Sequence, residues 1–254
     1  MNASKDTPST PWYARDCVIG TFLSLGSPVA AELAARAGLD WVILDLEHGV
    51  GEGEAKLESQ LQVLDARRTA PIVRFGVPHP DMVMRALDWG AAGVMVPRAE
   101  RVAEIEAVIE AAHYAPRGRR GYSYYTRWHG FDMPDAPTRI DPVIIPQIES
   151  LEGVEQVEAI AAADGVTAIF AGVGDLTFDL KQRASADAPA MDDCLERIAK
   201  AAQAAGKPVG MFLRSLADVN TWRARGFSLF AVDSDIGLIR AGLLALGTFT
   251  TPRP

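Results

Sequence analysis

The sequence predicts a single (β/α)8 barrel. Eight short β-branched apolar runs recur along 254 residues, and stretches with 3.6-residue apolar spacing separate them. Nearly every run ends in an acid, a base or an arginine. The first two observations define alternating strands and helices, because parallel strands covered by helices read as continuous apolar runs. The third puts charge where the strands of a parallel barrel converge, on the C-terminal rim that carries active sites. An open doubly wound sheet is the alternative with the same alternation.

The elements follow in chain order. The first strand is expected at 18–23, with a helix at 27–37 that stops at Gly38. The second strand, 41–46, leads to a helix at 54–67. The third, 71–75, leads to a helix at 80–89 ending at Gly90. Strand four at 93–97 and a helix at 101–112 come next, then strand five at 142–148 and a helix at 151–163. Strand six is expected at 166–171, and a helix at 192–205 stops at Gly206 before strand seven, 208–213. A helix at 216–225 ends at Gly226, strand eight is 229–232, and a last helix covers 236–246. Glycine closes helices in this way because it adopts the left-handed conformation at little cost.

Two connections exceed the usual length of about 2–6 residues. One runs from Arg117 to Asp141 and the other from Leu176 to Met191, and both are expected to be lids or subunit contacts. Residues 1–12 and 250–254 are expected to be poorly ordered tails around a barrel domain at 13–249.

Composition removes several classes of function. The chain is 48% hydrophobic, enough for a full core, and its net charge of −8 argues against nucleic acid as a partner. The Arg119–Trp128 stretch interleaves arginine with tyrosine and tryptophan, but with this acidic balance it reads as a lid or oligomer contact rather than a base-stacking surface. No apolar run reaches the roughly 18 residues of a membrane span, and residues 1–11 lack the apolar core of a signal peptide. The two cysteines, Cys17 and Cys194, form no zinc-type spacing, so a reducing cytoplasmic setting is expected.

Among the rim residues, Glu149 follows strand five and Asp175 follows the neighbouring strand six. Two carboxylates completed by water and substrate oxygens suit a hard divalent ion. The plainer alternative is that the two acids cap the following segments. Gly172 and Gly174 let backbone N–H groups approach an anion. His48, with Asp45 three residues earlier, can be held in one tautomer as a general base, or can be a polar loop residue satisfied by a nearby acid. Arg74 at the barrel mouth can stabilise an enolate, or form a structural ion pair with Asp88 or Glu47. Arg98 and Arg214 can orient substrate or pair with nearby acids, and pairing is the expectation. No lysine lies in a strand interior, so a Schiff base is not expected.

Taken in order, these motifs resemble one family. They are Asp45-x-Glu47-His48-Gly49, Arg74, Leu87-Asp88-x-Gly90-Ala91-x-Gly93-Val94-x-Val96-Pro97, Gln147-Ile148-Glu149-Ser150, Gly172-x-x-Asp175 and Gly206-Lys207. The set is similar to the HpcH/HpaI aldolases, class II pyruvate aldolases, from about Cys17 to Leu246. The resemblance implies metal-dependent, reversible cleavage of a 4-hydroxy-2-oxo acid to pyruvate and an aldehyde. It implies that Glu149 and Asp175 bind Mg²⁺ or Mn²⁺, with Co²⁺ a further candidate, and that no organic cofactor is needed. Arg74 resembles the arginine on the keto oxygen, and His48 paired with Asp45 resembles the base. Gln147 would touch substrate or metal-bound water, Gly172, Val173, Gly174 and Asp175 would hold the pyruvate carboxylate, and Leu213 would line the substrate. Asp88 resembles an acid supplied near a neighbouring subunit's site, and Glu47 would support the site. The family fold is a barrel with an exchanged C-terminal helix, in trimers or hexamers.

Two departures stand out. This chain has Gly172-Val173-Gly174-Asp175 where relatives often have Gly-Pro-Ala-Asp or Gly-Pro-Ser-Asp, which is expected to loosen the cradle. It also has Gly121-Tyr-Ser-Tyr-Tyr-Thr-Arg-Trp128 in a stretch expected to shape the aldehyde side. A CoA-thioester lyase of the citrate lyase β type and a non-catalytic 2-oxo-acid-binding barrel are the competing readings.

Overall fold

Eight short runs become strands because each is apolar enough to be buried on both faces. They are Val18–Leu23 (β1), Trp41–Asp45 (β2), Ala70–Arg74 (β3), Gly93–Val96 (β4), Val143–Ile148 (β5), Ile169–Ala171 (β6), Val209–Leu213 (β7) and Leu229–Ser234 (β8). In the computed structural model, which describes residues 11–50, 53–66, 68–77, 79–132, 141–183 and 189–247, they close into an all-parallel barrel in sequence order. β8 pairs with β1 through Val18 opposite Leu229, with a register shift between Gly20 and Phe22. The barrel, and not the open sheet, is therefore the architecture.

Ten helices are seen among the described residues: Pro28–Arg36 (α1), Gly53–Val63 (α2), Pro80–Asp88 (α3), Val102–Ala112 (α4), Leu151–Glu155 (α5), Val157–Ala162 (α6), Val173–Gln182 (α7), Met191–Ala204 (α8), Val219–Arg223 (α9) and Asp235–Gly247 (α10). The glycines after α1, α3, α8 and α9 have positive φ, at 79°, 105°, 66° and 93°. The helix expected over 151–163 is divided at Gln156 into α5 and α6. The expected loop at 176–191 begins instead as α7, whose ten residues start at Val173. Residues 184–188 of that connection and the C-terminal tail lie outside the described residues.

Side chains alternate between two cores. One lies between strands and helices and includes Val42, Leu44, Val73, Ile144, Met211 and Leu213. The other fills the barrel, with Trp41, Ile43, Ile72, Met95, Ile145 and Phe170. Trp12 stacks on Trp41 at 5.7 Å between ring centres and closes the N-terminal end of the barrel, whereas residues 1–10 of the expected tail lie outside the described residues. Toward the other end, Phe22 meets Phe170 at 6.4 Å and Phe212 at 5.9 Å. This aromatic layer floors the mouth. Among the described residues no helix is long and apolar enough to cross a membrane.

Candidate active site

Asp45, the last residue of β2, is buried and faces Arg74, the last residue of β3. The guanidinium grips both carboxylate oxygens: Nε donates to Oδ1 at 2.9 Å and an Nη to Oδ2 at 2.8 Å. Another Nη lies 3.2 Å from Oε2 of Glu47, and the cation sits 4.7 Å above the Phe22 ring centre. Burial alone would raise Asp45, but the bonds and charge of Arg74, with the N–H groups of His48 and Glu47, outweigh it and hold the carboxylate below its usual range. Arg74 is likewise held protonated despite burial. A guanidinium has five N–H donors and two are bonded to Asp45, so three remain for Glu47 and a bound anion.

The arrangement changes the expected role of Asp45. It accepts the backbone N–H of His48 at 3.3 Å, not its ring. The imidazole is largely exposed, and the carboxylate facing it is Glu47, with Nε2 3.9 Å from Oε2. Asp45 is committed to Arg74 because a bidentate buried pair satisfies both groups at once. The ion pair with Asp88 expected as one alternative for Arg74 is absent: Asp88 ends α3 at the opposite end of the barrel and accepts from Arg120 at 2.7 Å.

Glu149 follows β5 and is buried. Its Oε1 accepts the N–H of Arg98 at 2.7 Å, and its Oε2 accepts from Gln147 Nε2 at 2.5 Å. Arg98 adopts a left-handed backbone (φ 48°) to deliver that N–H, a strained conformation of the kind that clusters at functional sites. Burial raises the Glu149 carboxyl from its ordinary 4.5 to about 7, the N–H of Arg98 opposes this, and the negative charges of Glu47 and Asp175 add to it. Glu47 is raised as well, chiefly by burial. Gln147 Oε1 and Glu47 Oε2 are buried without a hydrogen bond.

β6 brings the remaining parts. Gly172 donates its N–H to Ile148 O at 2.8 Å, and a Cβ there would lie 2.5 Å from Glu149 Oε2 and 2.9 Å from Gln147 Nε2. Only glycine lets the two carboxylate-bearing turns approach this closely. α7 starts at once, and its first intrahelical bond runs from Leu176 to Gly172. The N–H groups of Val173, Gly174 and Asp175 are therefore left for an anion at the positive end of the helix. Asp175 projects exposed from this first turn, and its charge is felt at Glu149 and Glu47. Leu213 departs from its expected place: it packs in the outer layer, and Phe212 faces the mouth, because neighbouring strand residues point to opposite sides.

The aromatic connection after α4 lies at the far end of the barrel. Arg127 covers Gly90 and donates to Leu64 O at 2.9 Å, and Arg120 is held between Tyr114 and Trp128 at 4.8 and 4.7 Å. Segments that follow helices in a parallel barrel return to the N-terminal ends of the strands. The described part of this one therefore lies away from the mouth of its own chain. Residues 133–140 of it lie outside the described residues. Of the two arginines expected to pair, Arg98 has its charge near Asp179, whereas Arg214 makes no hydrogen bond or ion pair with the described residues.

Among the described residues no group of three or more histidines, cysteines or acids surrounds one point. A cation here would take Glu149 and Asp175 and complete its shell with water and substrate oxygens. The residues fit such an ion. The Glu149 carboxyl is raised chiefly by burial and further by like charges that a cation would neutralise, and the amide oxygen of Gln147 is left unpartnered beside it.

The closed barrel carries carboxylates and a buried arginine on the C-terminal rim, where enzymes of this architecture place their active sites. The sequence matches the HpcH/HpaI aldolase/citrate lyase family over residues 18–241. It is 35% identical over 231 residues to the 5-keto-4-deoxy-D-glucarate aldolase of Enterobacter sp. (strain 638), covering 90% of each chain. Two solved structures resemble the fold. One is an HpcH/HpaI aldolase/citrate lyase family protein from Burkholderia cenocepacia J2315, with TM-score 0.83 and 33% identity over 93% of this chain and 96% of that one. The other is an HpcH/HpaI aldolase from Desulfitobacterium hafniense DCB-2, with TM-score 0.82 and 26% identity over 94% and 95%. The chain belongs to the HpcH/HpaI aldolase/citrate lyase family, and within it to the class II aldolases, which are carbon–carbon lyases.

Proposed function

We propose that the protein cleaves a 4-hydroxy-2-oxo acid to pyruvate and an aldehyde, reversibly, with a divalent cation held by Glu149 and Asp175. The observation that carries this reading is the Glu149 carboxyl, buried on the rim against Gly172 and Gln147 and raised to about 7 chiefly by that burial. Oxygen donors of this kind suit Mg²⁺ or Mn²⁺, with Co²⁺ a third candidate. The bound ion supplies Lewis-acid stabilisation of the developing negative charge.

The chain's own groups then have distinct tasks. The free N–H groups at the start of α7 hold the pyruvyl carboxylate, and Gln147 orients its neighbours. His48 takes the proton of the 4-hydroxyl. The C3–C4 bond breaks, its electron pair moves toward C2 as the enolate of pyruvate, and the aldehyde leaves. The spare N–H groups of Arg74 meet the enolate oxygen. C3 then regains a proton, so no oxidant or reductant is required. Asp45 positions Arg74, and Glu47 stands beside both Arg74 and His48.

The assembly belongs to the proposal too. Leu238, Ile239, Leu243, Leu244 and Leu246 of α10 are exposed, which supports an exchanged C-terminal helix in a homo-oligomer, trimer or hexamer. Asp88, remote from its own mouth, fits a role at a neighbouring subunit's site. Cys17 and Cys194 are both free thiols, in keeping with the cytoplasm. The aldolase-named relative favours aldol chemistry over the CoA-thioester reading. The test is pyruvate release from a panel of 4-hydroxy-2-oxo acids. Activity should vanish with EDTA, return with Mg²⁺ or Mn²⁺, and resist borohydride added with pyruvate. Activity that survives chelation, or is trapped by borohydride, contradicts the proposal.

A further inference from the structure

Glu149 and Asp175 are carried by separate elements, one by the turn after β5 and the other by the first turn of α7. Two hydrogen bonds tie these elements together, one on each side of the two acids. Before them in the chain, Gly172 donates its N–H to Ile148 O at 2.8 Å. Beyond them, the N–H of Leu151, first residue of α5, donates to Oδ2 of Asp179 at 2.8 Å. Leu151 lies two residues after Glu149, and Asp179 lies four residues after Asp175, one turn along the same face of α7.

The second tie matters because the two acids are held differently. Glu149 is fixed on the barrel by the N–H of Arg98 and by Gln147. The Asp175 carboxylate is exposed and has no hydrogen bond or ion pair among the described residues, so its place is set by α7 alone. A helix joined to its neighbour by one bond can pivot about it, and a second bond further along removes that freedom. Asp179 is itself well anchored: its Oδ1 accepts from Nε of Arg183 at 2.9 Å, and Arg183 also reaches Glu152. Burial would raise the Asp179 carboxyl, but the Leu151 N–H, Arg183 and the charge of Arg98 outweigh it and keep an ionised acceptor.

We infer that Asp179 is a positioning residue: by tying α7 to the turn that follows Glu149, it sets the spacing of the Glu149 and Asp175 carboxylates for one divalent cation. The inference rests on the proposed function, which supplies the cation. The experiment measures Mn²⁺ affinity by paramagnetic resonance, well below Tm, with Tm recorded for each protein. Asp179→Ala should weaken binding by about 10–100-fold, the usual effect of removing a group that orients a metal ligand. Asp179→Asn keeps an oxygen acceptor for the Leu151 N–H and should stay within about fivefold of the wild type, as should Arg183→Ala, which removes only a surface ion pair. Leu151→Pro removes the same bond from the donor side. Proline is tolerated at the first position of a helix, and Ser150 before it is already extended (φ −138°, ψ 163°). This variant should match Asp179→Ala, and it carries the test alone if Asp179→Ala does not fold. The double variant should lose no more than either single one, because the two changes delete one shared bond. Wild-type Mn²⁺ affinity in Asp179→Ala or Leu151→Pro, whatever the Tm, overturns the inference and leaves the cation reading standing. So do additive losses in the double variant, or no rescue by Asp179→Asn. A wild-type protein that binds no Mn²⁺ overturns both.

Discussion

Gly172→Ala tests the steric logic of the site with a single methyl group. Gly172 has φ −86°, ordinary for alanine, so no backbone strain enters. The new Cβ would lie 2.5 Å from both Cβ and Oε2 of Glu149, and ordinary contact begins at 3.4 Å. The overlap is thus 0.9 Å from 3.4 − 2.5. Gly172 cannot easily retreat, because its N–H is bonded to Ile148 O at 2.8 Å and the next residue starts α7. The Glu149 carboxylate must therefore move. Overpacking of this size costs about 1–3 kcal/mol of stability, which lowers Tm by about 2–4 °C per kcal/mol in a domain of this size. Displacing a reacting group by about 1 Å costs roughly 10²-fold in rate. The assay is kcat/KM for pyruvate release under saturating Mn²⁺, with cation affinity measured alongside. Gly174→Ala is the comparison, since nothing lies within 4 Å of its Cβ; it should cost far less. A Gly172→Ala protein with wild-type kcat/KM and cation affinity would refute the reasoning.

Three further predictions concern single groups. Glu149 is raised from 4.5 to about 7, so the folded protein holds a proton that the unfolded chain gives up across that window, and the cation-free protein should lose stability as pH rises through it. The loss attributable to Glu149 has an upper bound of about 3 kcal/mol; it should be absent in Glu149→Gln and reversed by cation, and an equal pH slope in both proteins contradicts it. Asp45→Asn should destabilise toward the lower end of about 3–5 kcal/mol in urea, because the Arg74 cation stays buried with Glu47 as its remaining acid; a change below about 1 kcal/mol would mean the pair is not structural. His48→Ala should lower kcat by about 10²–10⁴ with little change in Tm, since the ring is largely exposed; an unchanged kcat removes its role as base.

The barrel was legible because buried parallel strands need continuous apolar runs, and those runs survive as strands with ends displaced by one or two residues in most cases. β6 is the exception: the expected 166–171 shortens to Ile169–Ala171. α7 was not legible, since Gly172-Val173-Gly174-Asp175 reads as a loop by propensity, and the rim turns it directly into a helix. The acids and the arginine were visible as strand-end residues, but their pairing was not. Whether Asp45 serves His48 or Arg74 depends on the lateral register of β2 and β3, which places Asp45 opposite Arg74. The position of the aromatic stretch at 119–128 could have been read by counting, because a segment between a helix and the next strand returns to the end of the barrel away from the site. The absence of an acid near Arg214 depends on how the β7 and β6 loops settle in three dimensions, which no spacing in the sequence encodes.

The most direct measurement is Mn²⁺ binding, followed by paramagnetic resonance, to the wild type, Glu149→Gln and Asp175→Asn. The account predicts one ion per chain, with affinity lost by at least about 10²-fold in each variant while the fold is kept. Binding that persists in either variant, or no binding by the wild type, would contradict the claim that these two carboxylates together hold the cation.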